Sequence, residues 1–311
     1  MKLLLNLILS ISMFLYGIQL FSSSFGNIQD RIKDIFKNYT NSPKKGIILG
    51  TIITCLIQSS SIITVITVSL VNSNVISFYS SIGIIMGANL GTCITSWITS
   101  FFSFETTSFI NPSTYTPLFL LIGTILYFKK KNRLSNFFIG FAFFMLGINM
   151  IQKSLNPIME YKLFKDIILS LNNPLLGLII GIILTFIVQS SSATIAILQT
   201  ISNKSRLTYY MSIPIILGEN IGSCITTLIA SINTNKNAKR VAYAHLFYNI
   251  IGTIIFLVLF YLSKFLKLTY LNSSVNSNSI ALIHTIFNFV SIIIFYPFLN
   301  LFYRFINKIV K

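Results

Sequence analysis

Residues 43–68 read PKKGIILGTIITCLIQSSSIITVITV, and residues 87–96 read GANLGTCITS. Both stretches recur 131 positions later, as PLLGLIIGIILTFIVQSSSATIAILQ over 174–199 and GENIGSCITT over 218–227. Pro43, Gly46, Gly50 and Thr54 match Pro174, Gly177, Gly181 and Thr185 at that interval. Gln58-Ser59-Ser60-Ser61 matches Gln189-Ser190-Ser191-Ser192, and no insertion or deletion intervenes up to Thr95 and Thr226. The chain is an internal duplication, which sets the fold before any single element does.

Working outward, 54% of the 311 residues are hydrophobic and 9% are charged, with a mean hydropathy of +0.79. Soluble domains carry about 25% charged residues. Apolar runs near the roughly 20 residues that cross a bilayer as a helix recur along the chain. They lack the alternation of barrel strands. The expected class is all-α: a polytopic membrane protein with one transmembrane domain over 1–311.

The net charge of +17 does not point to nucleic acid, because the basic residues sit in short loops between apolar runs. Cys55, Cys93 and Cys224 are odd in number and lie within apolar segments, so they suggest neither disulfides nor a zinc site. Packing suits Cys93 and Cys224, which are repeat mates.

Residues 3–25 alone read like a secretory leader. However, 134–155 aligns with them at an interval of 130, Gly17 against Gly147, and an internal segment is no leader. Repeat 1 therefore covers about 1–131 and repeat 2 about 132–262, with an additional helix near 279–302. Each repeat reads as a first helix, a QSSS segment, a helix broken at its Gly-Asn-Gly motif (75–102 and 208–232) and a further crossing.

Two readings of the QSSS segments stay open. They cross fully, or they are re-entrant hairpins with an unwound tip lining a polar cavity, where irregular backbone at membrane depth is tolerated. Hairpins put 15 of the 23 lysines and arginines on one side and give three crossings per repeat, so the copies are inverted. Full crossing gives four crossings and parallel copies.

Gln58, Ser59, Ser60 and Ser61, with Gln189, Ser190, Ser191 and Ser192, are the first candidate binding residues, since unpaired polar groups in hydrocarbon cost several kcal/mol each. Asn89, Thr92 and Thr95, with Asn220, Ser223 and Thr226, add hard oxygens suited to Na⁺ beside freed carbonyls. Glu219 is the only acid in any expected membrane segment and stands opposite Ala88 in the repeat. It reads as a cation ligand or proton-coupled carboxylate, or as a group paired with an amide or His245. His245 and His284, in AHLFYN and IHTIFN, read as satisfied packing groups. No transition-metal spacing, P-loop, G-x-S-x-G or G-x-G-x-x-G motif is present, so no enzyme and no cofactor is expected.

The paired QSSS motifs, each followed by G-x-N-x-G-[TS], together with AHLFYN and HTIFN, resemble the type II sodium/phosphate cotransporter family in its bacterial branch. The resemblance covers about residues 1–300. It implies inverted repeats, re-entrant hairpins and Na⁺-coupled uptake of inorganic phosphate across the cytoplasmic membrane, with both QSSS motifs lining the phosphate and Na⁺ sites. Many bacterial members carry a soluble phosphate-regulatory tail. This chain stops at Lys311, just past its last helix, and that regulation is not expected. Partners are then phosphate, Na⁺ and the bilayer; a homo-oligomer is left open. The rival readings are a transporter of another oxyanion or small carboxylate, and a non-transporting membrane sensor or scaffold.

Overall fold

The computed structural model describes residues 2–25, 28–102, 112–204 and 207–311. Its regular structure is helical, with a single isolated bridge, Thr208 to Ser274, among the described residues. The helices are α1 (Lys2–Ser23), α2 (Ile28–Tyr39), α3 (Pro43–Ile57), α4 (Ser60–Asn72), α5 (Phe78–Phe102), α6 (Thr116–Phe128) and α7 (Asn132–Glu160). There follow α8 (Lys162–Ser170), α9 (Pro174–Val188), α10 (Ser191–Lys204), α11 (Tyr209–Ala230), α12 (Lys236–Phe265), α13 (Ser277–Phe295) and α14 (Leu299–Ile309). Six are long and apolar enough to cross a bilayer: α1, α5, α7, α11, α12 and α13 taken with α14. By contrast α3 and α9 have 15 residues each, about 22 Å of helix against a hydrocarbon core of about 30 Å. Most of the loop expected at 103–115 lies outside the described residues, and the polar loop at 26–45 contains α2.

The repeat mates α1 and α7 pack on each other and run antiparallel. Gly17 abuts Phe143 and Phe144, Gly147 abuts Phe14, and Gly140 abuts Phe21. Numbers that rise on one helix fall on the other. Small residues let the backbones close up, and within a membrane this packing replaces the hydrophobic drive available in water.

A second contact is made twice. Gly83 abuts Pro43, Gly87 abuts Ile47 and Thr51, and Gly91 abuts Thr51 and Thr54, so α3 and α5 run parallel. The mates Gly218 and Gly222 meet Leu178, Ile182 and Thr185 in the same order, so α9 and α11 run parallel too. Thr95 donates to Gln58 Oε1 at 2.6 Å, which sets Gln58 level with Thr95. The 13 residues of α4 must bring the chain back from that level to the start of α5. Helices α3 and α4 therefore form a hairpin with its bend at Gln58-Ser59, and α9 and α10 repeat it.

The helix break expected at the Gly-Asn-Gly motifs is absent. α5 runs unbroken from Phe78 to Phe102, and α11 from Tyr209 to Ala230. The glycines serve close approach instead: a Cβ on Gly87 would lie 2.1 Å from the Ile47 carbonyl oxygen, and one on Gly218 2.0 Å from that of Leu178. Both helices run on through their Gly-Asn-Gly motifs, so those motifs offer no unwound stretch for an ion; the internal proline of α11, Pro214, lies four residues before Gly218.

The two last crossings bind one to each half: α13 packs on α5, and α12 on α11. Across the halves, α4 packs on α11 and α12, and α10 on α5 and α13. Two amphipathic helices, α2 and α14, insert Ile32, Phe36, Phe302 and Ile306 into the core that also holds Ile63, Val68 and Tyr248. Their basic residues, such as Arg31, Lys33, Arg304 and Lys308, fall at the same end of the bundle, where Arg240 Nε also donates to the Val310 carbonyl at 3.0 Å.

Gly87→Ala and Gly218→Ala are each expected to destabilise the protein by about 1–3 kcal/mol through overpacking. Gly177→Ala, whose Cβ would meet nothing nearer than Pro214 Cβ at 3.3 Å, stays near wild type. Thermal unfolding in detergent reads the difference as a lower Tm for the first two only.

Candidate functional site

Each hairpin bends through the same two residues. Gln58 lies at φ 57°, ψ 27° and Gln189 at φ 52°, ψ 25°. This left-handed conformation costs a non-glycine residue roughly 1–2 kcal/mol. Each glutamine backbone N–H closes the first helix by donating at 2.7 Å to the carbonyl of Thr54 or Thr185. The next residue caps the second helix: Ser59 Oγ accepts from Ile62 N at 3.4 Å, and Ser190 Oγ accepts from Ala193 N at 3.2 Å. The first N–H groups of α4 and α10 have no acceptor within their helices and remain available at the bend. The sequence thus writes Gln for the turn, the first Ser for the cap, and two further Ser for the opening turn of the second helix.

Both bends open onto one cavity of about 520 Å³. Its wall holds Gln58 to Ser61 and Gln189 to Ser192, so all eight residues of the two motifs meet there. Apolar residues Leu15, Ile18, Ile57, Ile62 and Val188 complete the wall with Gln19 and Ser22 of α1, and among the described residues no charged side chain lines it. The two halves differ in detail. The Gln58 side chain is tied down, its Nε2 donating to the Cys55 carbonyl and its Oε1 accepting from Thr95. Gln189 is exposed to the cavity.

A void of about 10 Å³ adjoins this cavity, with oxygens supplied by Ser61, Thr185, Gln189, Ser191, Ser223 and Thr226. Space of about one probe sphere suits one water or small ion when two to four polar partners surround it. Among the sequence candidates, Ser223 and Thr226 therefore join the QSSS group. Their hydroxyls also donate back to their own helix, at 2.7 and 3.1 Å.

The other candidates line neither space, although Glu219 interacts with the Ser191 side chain. Thr92 donates to the Ala88 carbonyl at 3.0 Å within its helix, and Thr95 anchors Gln58. Asn89, Asn220 and Glu219 belong to a buried network between the halves. Asn89 Nδ2 donates to Asn249 Oδ1 at 2.9 Å, and Asn89 Oδ1 lies 3.2 Å from His245 Nε2. An amide oxygen only accepts, so Nε2 carries a His245 proton, and Nδ1 lies 2.9 Å from the Thr227 hydroxyl. The Thr227 and Thr64 hydroxyls, 2.8 Å apart, extend the line across the halves. Asn249 Nδ2 donates to the His245 carbonyl and to Cys224 Sγ.

The other half copies the core of this arrangement, with Ser96 in place of Thr227, Ile195 in place of Thr64, and Glu219 in place of Ala88. His284 Nδ1 is 2.8 Å from Ser96 Oγ, and Asn288 Nδ2 donates to the His284 carbonyl and Cys93 Sγ. His284 Nε2, however, faces Glu219 Oε2 at 3.6 Å. Asn220 Nδ2, the mate of the amide that serves Asn249, donates to that same carboxylate at 2.9 Å and to the Ile216 carbonyl. Asn288 Oδ1 and Glu219 Oε1 are left buried without a hydrogen-bond partner among the described residues. Glu219 therefore pairs with its neighbouring amide and with His284, not His245. Both histidines and both helix-buried cysteines are the satisfied packing groups that their sequence contexts suggest.

Sequence reading missed Gln19, Ser22 and Thr185. Gln19 had left a trace, since it is the only amide in the apolar run that follows Asn6. Thr185 is visible only as the invariant mate of Thr54.

Fold and cavity together define a multi-pass helical membrane protein whose centre is a neutral polar chamber built from two copies of one motif. The comparisons with known proteins agree. The family model described as Na+/Pi-cotransporter matches residues 13–153 and again 143–277, and the chain belongs to that family. It is 30% identical over 296 residues to "Uncharacterized protein YqeW" of Bacillus subtilis (strain 168), spanning 94% of this chain and 91% of that one. "Putative inorganic phosphate export protein YjbB" of Escherichia coli (strain K12) is 23% identical over 260 residues, 82% of this chain and 46% of its own length. A stretch of 93 residues is 40% identical to "Sodium-dependent phosphate transport protein 2B" of Homo sapiens, covering 28% of this chain and 14% of the human one. No solved structure matches the chain.

Asn89→Leu would strand His245 Nε2–H and Asn249 Oδ1 in the interior. Its expected cost is roughly 1–3 kcal/mol of stability, read as a fall in Tm in detergent. Thr92→Val, whose lost bond is local to one helix, should fall less.

Proposed function

We propose that this chain is a sodium-coupled phosphate symporter of the cytoplasmic membrane that works by alternating access. One observation carries the reading: the two QSSS bends share a single cavity that contains hydroxyls, amides and helix N-termini but no charge. Such a lining donates hydrogen bonds to an oxyanion from several sides. Partial positive charge at the starts of α4 and α10 adds to this. Without a lysine or arginine, the anion's charge is offset by Na⁺ held alongside, and the small void lined by Ser61, Ser191, Ser223 and Thr226 is where we place one such ion. No other cofactor enters the cycle.

The repeats are read as inverted, and the α3–α4 and α9–α10 hairpins as re-entrant. Antiparallel packing of the mates α1 and α7 supports the first, because mates in parallel copies would point the same way. The shortness of α3 and α9, about 22 Å against a core of about 30 Å, supports the second.

An asymmetry between the halves supports alternating access. Met145 and Ile148 of α7 are buried against Ala193, Ala196 and Ile197 of α10. Their mates Leu15 and Ile18 join the same apolar cluster but also line the open cavity, and among the described residues no comparable packing joins α1 to α4. One side is sealed by a contact that the other side lacks. Exchange of that contact between the halves moves the opening to the opposite face.

A second reading, phosphate export, is favoured by the name of the Escherichia coli relative. The same cavity serves either direction. In proteoliposomes, radiolabelled phosphate uptake is expected to rise with an inward Na⁺ gradient. Uptake indifferent to Na⁺ rejects the coupling, and gradient-driven efflux without uptake favours export. Ser60→Leu and Ser191→Leu should each lower the rate at least about tenfold, the effect of roughly 1.4 kcal/mol, with an unchanged elution profile on gel filtration. Full activity in both removes the site.

A further inference from the structure

The cavity has a third wall that the repeated motifs do not supply. Leu15, Ile18, Gln19 and Ser22 stand at i, i+3, i+4 and i+7 on α1, which is one stripe of a helix, and all four line the cavity. Elsewhere α1 exposes Leu4, Leu5, Ile8, Leu9 and Tyr16, an apolar face suited to lipid. Gln19 interrupts that pattern only where the cavity begins, and its side chain is exposed there.

Ser22 gives the second, independent observation. It is 7% exposed, and its Oγ has no hydrogen-bond partner among the described residues. A serine in a helix ordinarily returns its proton to a carbonyl three or four residues back. Two serines of the same helix do so: Ser10 donates to the Asn6 carbonyl at 2.6 Å, and Ser23 to that of Leu20 at 2.7 Å. Ser22 makes no such bond, although it is better buried than Ser23. The mates of these two residues, Asn149 and Gln152, do not reach the cavity, so α1 alone supplies the wall.

We propose that Gln19 and Ser22 contact the transported oxyanion directly, as the donors that complete its coordination opposite the two QSSS bends. This rests on the phosphate reading above and extends its site to α1. A tetrahedral oxyanion turns oxygens in four directions, and two bends cover only part of that surface. The Gln19 amide donates to one oxygen, and its carbonyl accepts from the P–O–H of a protonated phosphate. The Ser22 hydroxyl, whose Oγ is fully enclosed in this conformation, reaches a further oxygen by a change of side-chain rotamer. Fully deprotonated sulfate offers Gln19 no proton, so Gln19 also favours phosphate over sulfate.

Phosphate uptake kinetics in proteoliposomes test this. Gln19→Leu and Ser22→Ala are each expected to raise KM for phosphate about tenfold, the effect of removing one or two hydrogen bonds. Gln19→Glu, which sets a like charge before the anion, should raise it further. Gln19→Leu should also narrow the preference for phosphate over sulfate in competition, which a purely structural role would not do. As a check that does not depend on these variants being active, Gln19→Cys is labelled with a membrane-impermeant thiol reagent, with wild type as baseline for the native cysteines. Phosphate is expected to slow that labelling several-fold. Wild-type uptake with unchanged KM in both Gln19→Leu and Ser22→Ala, or labelling indifferent to phosphate, overturns the inference alone. Wild type that neither takes up nor exports phosphate overturns the phosphate reading and this inference together.

Discussion

Backbone touching backbone along α3–α5 and α9–α11 is the constraint on which the rest depends. Gly83, Gly87 and Gly91, with Gly218 and Gly222, leave no room for a Cβ against the facing carbonyls. In a membrane, helices gain little from hiding apolar surface, so such close seams decide what packs on what. Each seam fixes a short helix to a long one at a defined height. The bend that ends the short helix therefore arrives level with Thr95 in one half and its mate in the other. Two bends placed this way, one from each half, face a common chamber.

Polar contacts between the halves hold that placement. Gln199 Nε2 donates to the Ser96 carbonyl at 2.8 Å, and Thr99 donates to Gln199 Oε1 at 2.6 Å. Thr64 meets Thr227, and His245 meets Asn89. These groups sit where water cannot replace a lost partner, so they specify one arrangement of the halves. Among the departures from two-fold likeness, the one that introduces an acid is Glu219 in place of Ala88. It draws off the Asn220 amide and leaves the Asn288 oxygen without a donor.

Much of this was legible in the sequence because the duplication is nearly free of insertions. The interval of 131 residues identified the motifs, their order and the pairing of Cys93 with Cys224. The all-helical membrane class followed from composition, while at QSSS the polar residues amid apolar ones left a bend and a full crossing both open. The expected break at Gly-Asn-Gly was mistaken for a physical reason. A glycine that weakens an isolated helix also lets two helices touch, and only the neighbour at Ile47 or Leu178 tells which role it plays. The placement of α2 inside a polar loop was hidden likewise, since its buried face is only Ile32 and Phe36. The stripe on α1 could not be read at all. A lone Gln19 and one serine among several mean little until the opposite wall is known.

The exchange of Glu219 for Ala88 has a kinetic meaning under the transport cycle proposed above. Halves related by a strict two-fold would give identical rate constants for loading from either face. An acid in one half alone removes that equality. The barrier to releasing cargo toward one compartment then differs from the barrier toward the other, while the gradients of ion and substrate still set the net direction.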